Sequence, residues 1–411
     1  MATTLEAILT EMLGDEPPIR IRAYDGTDFG PADAPATLVV RSPDALRRML
    51  TAPGELGLAR AYVAGELDVE GDIHAALDLH DRLPDVRLHP RQLAAIVQLL
   101  GRDTLHRLPP PPEEARLRGP RHSRERDAAA IAHHYDVSNR FYELVLGPSL
   151  TYSCALFETS GTSLDDAQTA KHELICQKLR LEPGMRLLDV GCGWGSTAMH
   201  AAAEHGTEVV GVTLSRRQAE LAAKRVADAG LEGRIDIRLQ DYRDVDDGPY
   251  DAVSSVGMFE HVGESQLGEY FQRLHTLLRP AGRLLNHGIV HPPRRSSRFA
   301  RRGFIDRYVF PDGELHDVGK VAAVMESAGF EVRHAENLRE HYSLTLRAWV
   351  ANLESAWDEA VAEVGMARAR VWRLYMAASA RNFDRGRTGL QQLLGVRADG
   401  GTSGFPLRPS Y

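Results

Sequence analysis

The chain is poor in cysteine, unusually poor in lysine for its size, and has no long apolar run. Its three cysteines, Cys154, Cys176 and Cys192, are an odd, sparse set without metal-ligand spacing. That argues against a disulfide framework and fits a reducing cytoplasm. The pair His133–His134 lacks a third ligand at metal spacing, so no metal site is read. Without a run of about 18 apolar residues, no membrane-spanning helix is expected, and any contact with lipid comes from one side. The opening "MATTLEAILTEMLGDEPP" is acidic and lacks the basic and apolar regions of a signal peptide. Lysine occurs only at Lys171, Lys178, Lys224 and Lys320, so arginine carries nearly all of the positive charge. A net charge of -8 argues against a general nucleic-acid partner.

What is present fits a globular protein of more than one domain: 411 residues, 43% hydrophobic and 26% charged. Residues 1–108 read as a smaller α+β accessory domain. "SPDALRRML" supplies a helix with Ser42 as N-cap. Residues 109–126, "PPPPEEARLRGPRHSRER", read as a wet linker, because four prolines cannot continue a helix and the charges that follow stay solvated. From residue 127 to 411, short apolar runs ("MRLLDVG", "TEVVGVTLS", "RIDIRLQD", "YDAVSSVGM", "GRLLNHGIV") alternate with helical stretches. That alternation predicts an α/β fold with a mostly parallel sheet, its ligand at the carboxyl ends of the strands.

The run "LLDVGCGWGST" ends the first of these strands with Asp189 and opens a turn with Gly191, Gly193 and Gly195. Glycines there let the backbone approach a ligand with no Cβ in the way. A dinucleotide fingerprint needs its third glycine one residue later and an acidic residue at the end of the second strand. Here Thr213 stands at that end. The spacing points instead to a nucleoside-type cofactor, S-adenosylmethionine (SAM). Gln240, Asp241 and Tyr242, after the third strand, would meet an adenine edge.

Further motifs lie in order along residues 127–384: "HYDVSNRFYELVLGPSLTYSCALFE", "GVTLSRRQ", "SVGMFEHVG", "FIDRYVFPDG" and "HYSLTLRAW". Together with the glycine loop, they resemble the cyclopropane-fatty-acyl-phospholipid synthase family, whose members use SAM to alkylate the double bond of an unsaturated acyl chain. The resemblance implies that Tyr152 and Ser153 touch the methionine end of SAM, that Thr213 and Gln218 lie near its ribose, and that Tyr242 lies near its adenine. It implies a bicarbonate ion held by Cys154, Glu260, His287, Ile289 and Tyr342. It also implies a membrane phospholipid substrate, a peripheral position on the inner face of the membrane, and a homo-oligomer, expected as a dimer.

The chemistry asks for such residues. An alkene is a weak nucleophile and must be held in line with the methyl donor. The carbocation that follows needs a dry pocket and aromatic faces, for which Phe141, Tyr142, Phe259, Phe304 and Tyr308 are candidates. Loss of a proton then closes a cyclopropane. A hydride shift before proton loss gives a 10-methylene branch instead, which in some actinobacterial relatives a partner reductase converts to 10-methyl. Two departures from the family pattern keep ring and branch open: Gly288 stands where a Thr is common, and His316 where a Pro is usual. Arg294, Arg295, Arg298, Arg301 and Arg302 form a candidate headgroup patch. Two other readings compete: an O- or N-methyltransferase on a small acceptor, and a non-catalytic lipid- or SAM-binding protein.

Overall fold

The computed structural model describes residues 5–14, 17–52, 54–82, 101, 106–115, 119–124, 126–127, 137–292, 303–409 and 411. The chain forms two compact units. The first comprises Met1–Arg116, Arg298–Val309 and Val364–Arg381; the second comprises Leu117–Ser297, Phe310–Glu363 and Asn382–Tyr411.

In the first unit, strands β1 (Arg20–Ala23), β2 (Asp28–Phe29), β3 (Ala36–Val40) and β4 (Leu67–Gly71) form a sheet in the order β2-β1-β3-β4. Ile19, Ile21, Phe29, Val40, Ala45, Ala61 and Leu67 make its core. Ser42 caps the helix Pro43–Thr51, accepting from the Asp44 N–H at 3.1 Å, as the sequence predicts.

The segment expected as a linker is divided between the units, and its first part is not wet. Glu114 is buried, and its carboxylate accepts from Arg60 at 2.8 to 3.0 Å, from Arg307, and from the Tyr308 hydroxyl at 3.3 Å. A buried carboxylate is tolerated when it is paired in this way. Phe304 and Tyr308, candidates for the cation-facing aromatics, therefore belong to this unit. So does Arg370, which donates to the Tyr62 carbonyl at 3.0 Å and to Asp68 at 2.8 Å. Partners hundreds of residues apart explain why a contiguous boundary could not be read from composition.

The second unit holds a seven-stranded sheet of β5 (Arg186–Val190), β6 (Glu208–Thr213), β7 (Ile235–Leu239), β8 (Tyr250–Val256), β9 (Leu278–Val290), β10 (Glu331–Asn337) and β11 (Gly389–Val396). The strand order is β10-β11-β9-β8-β5-β6-β7. β5 pairs in parallel with both β6 and β8, while β11 runs antiparallel to both β9 and β10. The order reverses at β5, so the crevice above the carboxyl ends of β5 and β8 is where such a sheet binds its ligand. Two apolar clusters, one around Leu188, Val253 and Phe271 and the other around Leu187, Ala201 and Leu285, fix the strand ends that carry the site.

Candidate active site

At that crevice lies a cleft whose walls come from the loops after β5, β6, β7 and β8 and from residues 150–153. Gly191, Gly193 and Gly195 all have positive φ, of 77, 58 and 83 degrees, a backbone that residues with a Cβ rarely adopt. Gly191 and Gly193 line the cleft; Gly195 is the N-cap of the helix Ser196–His205. Tyr152, Ser153, Asp189, Thr213, Gln218, Gln240 and Tyr242 all line it as well. Thr213 donates its hydroxyl to Gln218 Oε1 at 2.8 Å. Asp241 stands apart from its neighbours. Its carboxylate is committed to Arg243, at 2.6 to 2.9 Å, and does not line the cleft.

Sequence reasoning missed what holds this wall in place. From the helix Leu164–Leu179, Gln168 donates to the carbonyls of Thr151 at 3.3 Å and Ser153 at 2.9 Å. One turn on, Lys171 donates to Ser153 Oγ at 3.1 Å. Burial pulls the Lys171 ammonium down to about 7, against the pull of Cys154 and Asp189. Burial likewise pushes Asp189 up to about 6, although Ser254 and Lys171 favour its charge. Scarce lysine was the available signal: two of the four lysines, Lys171 and Lys178, are fully buried.

Of the residues expected around the acceptor, Cys154 and Glu260 adjoin cleft residues in the sequence, while His287 and Tyr342 do not line the cleft. Cys154 follows Ser153. It is buried, and burial raises its thiol far above the usual range. Glu260 lies between the cleft residues Met258 and His261, in a short turn after β8. Its Oε1 accepts the Ile289 N–H at 2.7 Å, while its buried Oε2 has no partner among the described residues. Burial pushes this carboxyl up to about 7. His287, on β9, accepts no hydrogen bond at Nε2 and donates none there among the described residues. Tyr342 is buried and packs at 88 degrees against Trp349, which stacks at 5.2 Å on the cleft residue Tyr152. Phe383 faces Tyr342 at 4.7 Å. Phe141, Tyr142 and Phe259 are buried in this unit, with Tyr142 between Tyr152 and Trp194.

His287 has a defined tautomer, and the reason lies two residues away. Lys178 can only donate, and it donates to Gln392 Oε1 at 2.6 Å. That fixes the Gln392 amide, whose Nε2 lies 3.1 Å from His287 Nδ1 and donates to it. Nδ1 therefore accepts, and Nε2 carries the ring proton. Burial, with Lys171 and Lys178 nearby, pulls the imidazole down to about 3, so it is neutral. Gln392 lies directly across from His287 in the β9–β11 register.

The two departures from the family pattern meet at one ring. A Cβ added at Gly288 would lie 2.0 Å from Phe259 Cε1 and 2.9 Å from Glu260 Oε1. The buried His316 ring faces Phe259 at 6.4 Å on the described structure. Gly288→Thr must displace Phe259. Its expected effect is a loss of about 1–3 kcal/mol in stability, read as a lower thermal midpoint; an unchanged midpoint would show that the ring yields freely. Arg294, Arg295, Arg298, Arg301 and Arg302 lie outside the described residues, as do His133 and His134. No described helix is long and apolar enough to cross a membrane.

Residues 122–393, which hold the cleft and its surroundings, match the family model described as mycolic acid cyclopropane synthetase. The chain belongs to that family. This member is 48% identical to a "probable fatty acid methyltransferase" of Mycobacterium tuberculosis over 95% of its own length and 94% of the relative's. It is 35% identical to a tuberculostearic acid methyltransferase of the same organism, covering 92% and 88%. With the cyclopropane-fatty-acyl-phospholipid synthase of Escherichia coli it shares 34% identity over 85% of each chain. Among solved structures, a mycolic acid cyclopropane synthase complexed with SAH and CTAB superposes with a TM-score of 0.62 at 34% identity, covering 66% of this chain and 98% of that one. The protein is a SAM-dependent methyltransferase of cyclopropane synthase-like type, and the predicted α/β fold is the observed one.

Proposed function

We propose that this enzyme adds a one-carbon unit to the cis double bond of unsaturated acyl chains in membrane phospholipids. The observation that carries the reading is two buried polar atoms without partners among the described residues: Glu260 Oε2, on the residue before the cleft-lining His261, and His287 Nε2, which bears the ring proton. Buried polar atoms are rarely left without partners, so one acceptor and one donor fit a small oxyanion that offers both functions. Cys154, Glu260, His287 and Tyr342 would hold bicarbonate, with the Ile289 N–H already given to Glu260. SAM supplies the electrophilic methyl group, and bicarbonate supplies a base that does not itself add to a cation. The protein's share is positioning and dryness. Tyr152 lines the cleft with Trp349 and Tyr342 packed behind it, an aromatic cluster that would soften a developing positive charge, and a closed pocket would keep out water that quenches it. A small polar acceptor would need an activating base but no such dry, aromatic surround.

The substrate meets the protein from the bilayer, and the arginine run 294–302 supplies contacts to headgroup phosphates. We place the enzyme on the inner membrane face as a dimer. If the product is the methylene branch, a reductase consumes it. The test incubates the enzyme with SAM and vesicles of an oleoyl phospholipid, then analyses the acyl methyl esters by mass spectrometry. Gain of one carbon is expected, and NMR of the product separates ring from branch. Absence of any alkylated chain, or full activity in bicarbonate-depleted buffer, refutes the corresponding part. Replacing three of the arginines by alanine should weaken vesicle sedimentation; unchanged sedimentation removes the patch from the account.

A further inference from the structure

On the second unit, two helices bring together a group that the sequence separates. Cys176 projects from Leu164–Leu179, and His200 and His205 from Ser196–His205. Their ligand-type atoms all lie within 4.8 Å of one another. The carboxylate of Glu173, three residues before Cys176, joins them: Glu173 Oε2 is 3.1 Å from His200 Nε2 and 2.9 Å from His205 Nε2. Cys176 is fully buried and both histidines are half-buried. None of these residues takes part in the cleft.

We propose that Cys176, His200 and His205, with Glu173 as fourth ligand, form a structural zinc site. The donor set is the argument. Thiolate and imidazole suit Zn²⁺, and four ligands from short loops or helices are its usual structural arrangement. Ligand atoms around a tetrahedral zinc lie about 3.3–3.6 Å apart, given Zn–N and Zn–S bonds of about 2.0 and 2.3 Å. Cys176, His200 and His205 need closure by about an ångström, within reach of side-chain rotation, and the Glu173 carboxylate already touches both histidines. The charges also balance. One thiolate, one carboxylate and two neutral imidazoles cancel the two charges of the ion, so the loaded site is neutral, as a half-buried site requires. On binding, the thiol gives up one proton. Each imidazole keeps one proton, moved to Nδ1, and its Nε2 turns from Glu173 to the metal.

The position suggests what the ion would do. It ties the helix that carries Gln168 and Lys171 to the helix that begins at Gly195, so both walls of the cofactor cleft are braced from behind. The sequence gives no metal spacing because the ligands are split between two helices.

The test uses the full-length enzyme without an affinity tag. After dialysis against zinc and then against metal-free buffer, elemental analysis should find about one equivalent of zinc per chain. Cobalt in its place should give tetrahedral visible bands and a thiolate charge-transfer band. Cys176→Ser should abolish the thiolate band. Glu173→Gln should weaken zinc affinity by roughly 10–100-fold. If Cys176→Ser does not fold, the double variant His200→Gln and His205→Gln, at partly buried positions, should lose the metal while keeping its circular dichroism. Zinc well below stoichiometric after dialysis overturns the proposal. So does retention in the double variant.

Discussion

Glu260→Gln should lose activity and gain stability, and the two effects should separate by pH. The loss of turnover is expected at about 10²–10⁴-fold, the range for losing general-base catalysis, because the proposed bound base loses the carboxylate that would hold it. Glutamine keeps the carbonyl that accepts the Ile289 N–H, so the turn after β8 has no reason to move. What changes is Oε2, the atom without a partner. SAM affinity should stay within a few-fold of wild type, because the carboxylate lies beside the cleft and does not line it.

The stability gain follows from the raised pKa. Burial lifts this carboxyl from 4.5 to about 7, so folding favours its protonated form. Below pH 4.5 the group is protonated whether folded or not and costs nothing. As pH rises from there to about 7, the unfolded chain ionises it while the fold resists, and stability falls. Above 7 the cost levels off at about 3 kcal/mol, at about 1.4 kcal/mol per unit. The variant should therefore match wild type at pH 4.5 and exceed it at pH 8 in a denaturant titration. Equal stability at both pH values would mean that Glu260 is not held in the low-dielectric setting described. In wild type, if the ionised form is the working one, kcat should rise through pH 7, and that limb should be missing in the variant.

The α/β fold was legible because parallel strands buried on both faces read as apolar runs between helices, and because glycine spacing after β5 distinguishes a nucleoside site from a dinucleotide one. The cofactor residues follow from position at strand ends, which is why Gln240 and Tyr242 line the cleft as expected. Asp241 does not, since a 3₁₀ turn takes its carboxylate to Arg243. The residues proposed around the acceptor were not legible from spacing; family motifs supplied them, and the structure shows why spacing could not. Cys154, Glu260, His287 and Tyr342 come from a loop, a turn, a strand and a helix, far apart in sequence. The unit boundary was hidden for the same reason, through Glu114 with Arg307 and Arg370 with Asp68. Buried lysines are unusual enough to mark a site in hindsight, but residue type alone does not reveal burial.

The chain Glu336–Lys178–Gln392–His287 carries the second large effect, because His287 cannot choose its own tautomer. Lys178 and Gln392 do not line the cleft and would act as positioning residues. Gln392→Leu removes the donor to Nδ1, and the ring is then free to carry its proton there, leaving Nε2 as an acceptor. A loss of about 10–100-fold in kcat is expected, as for second-layer partners of ligating histidines. Lys178→Met should act in the same direction, since the Gln392 amide loses the contact that sets which end faces the histidine. Gln392→Glu should be worst for catalysis yet gentle on the fold. Its carboxylate pairs with Lys178, but it can only accept, so it demands the proton on Nδ1. A purely structural role predicts the reverse ranking, with leucine harming the fold most and glutamate least affecting kcat. Nitrogen NMR of the His287 ring, read beside SAM affinity, distinguishes the two. If Gln392→Glu retains wild-type kcat with the ring proton still on Nε2, the lysine does not govern the tautomer.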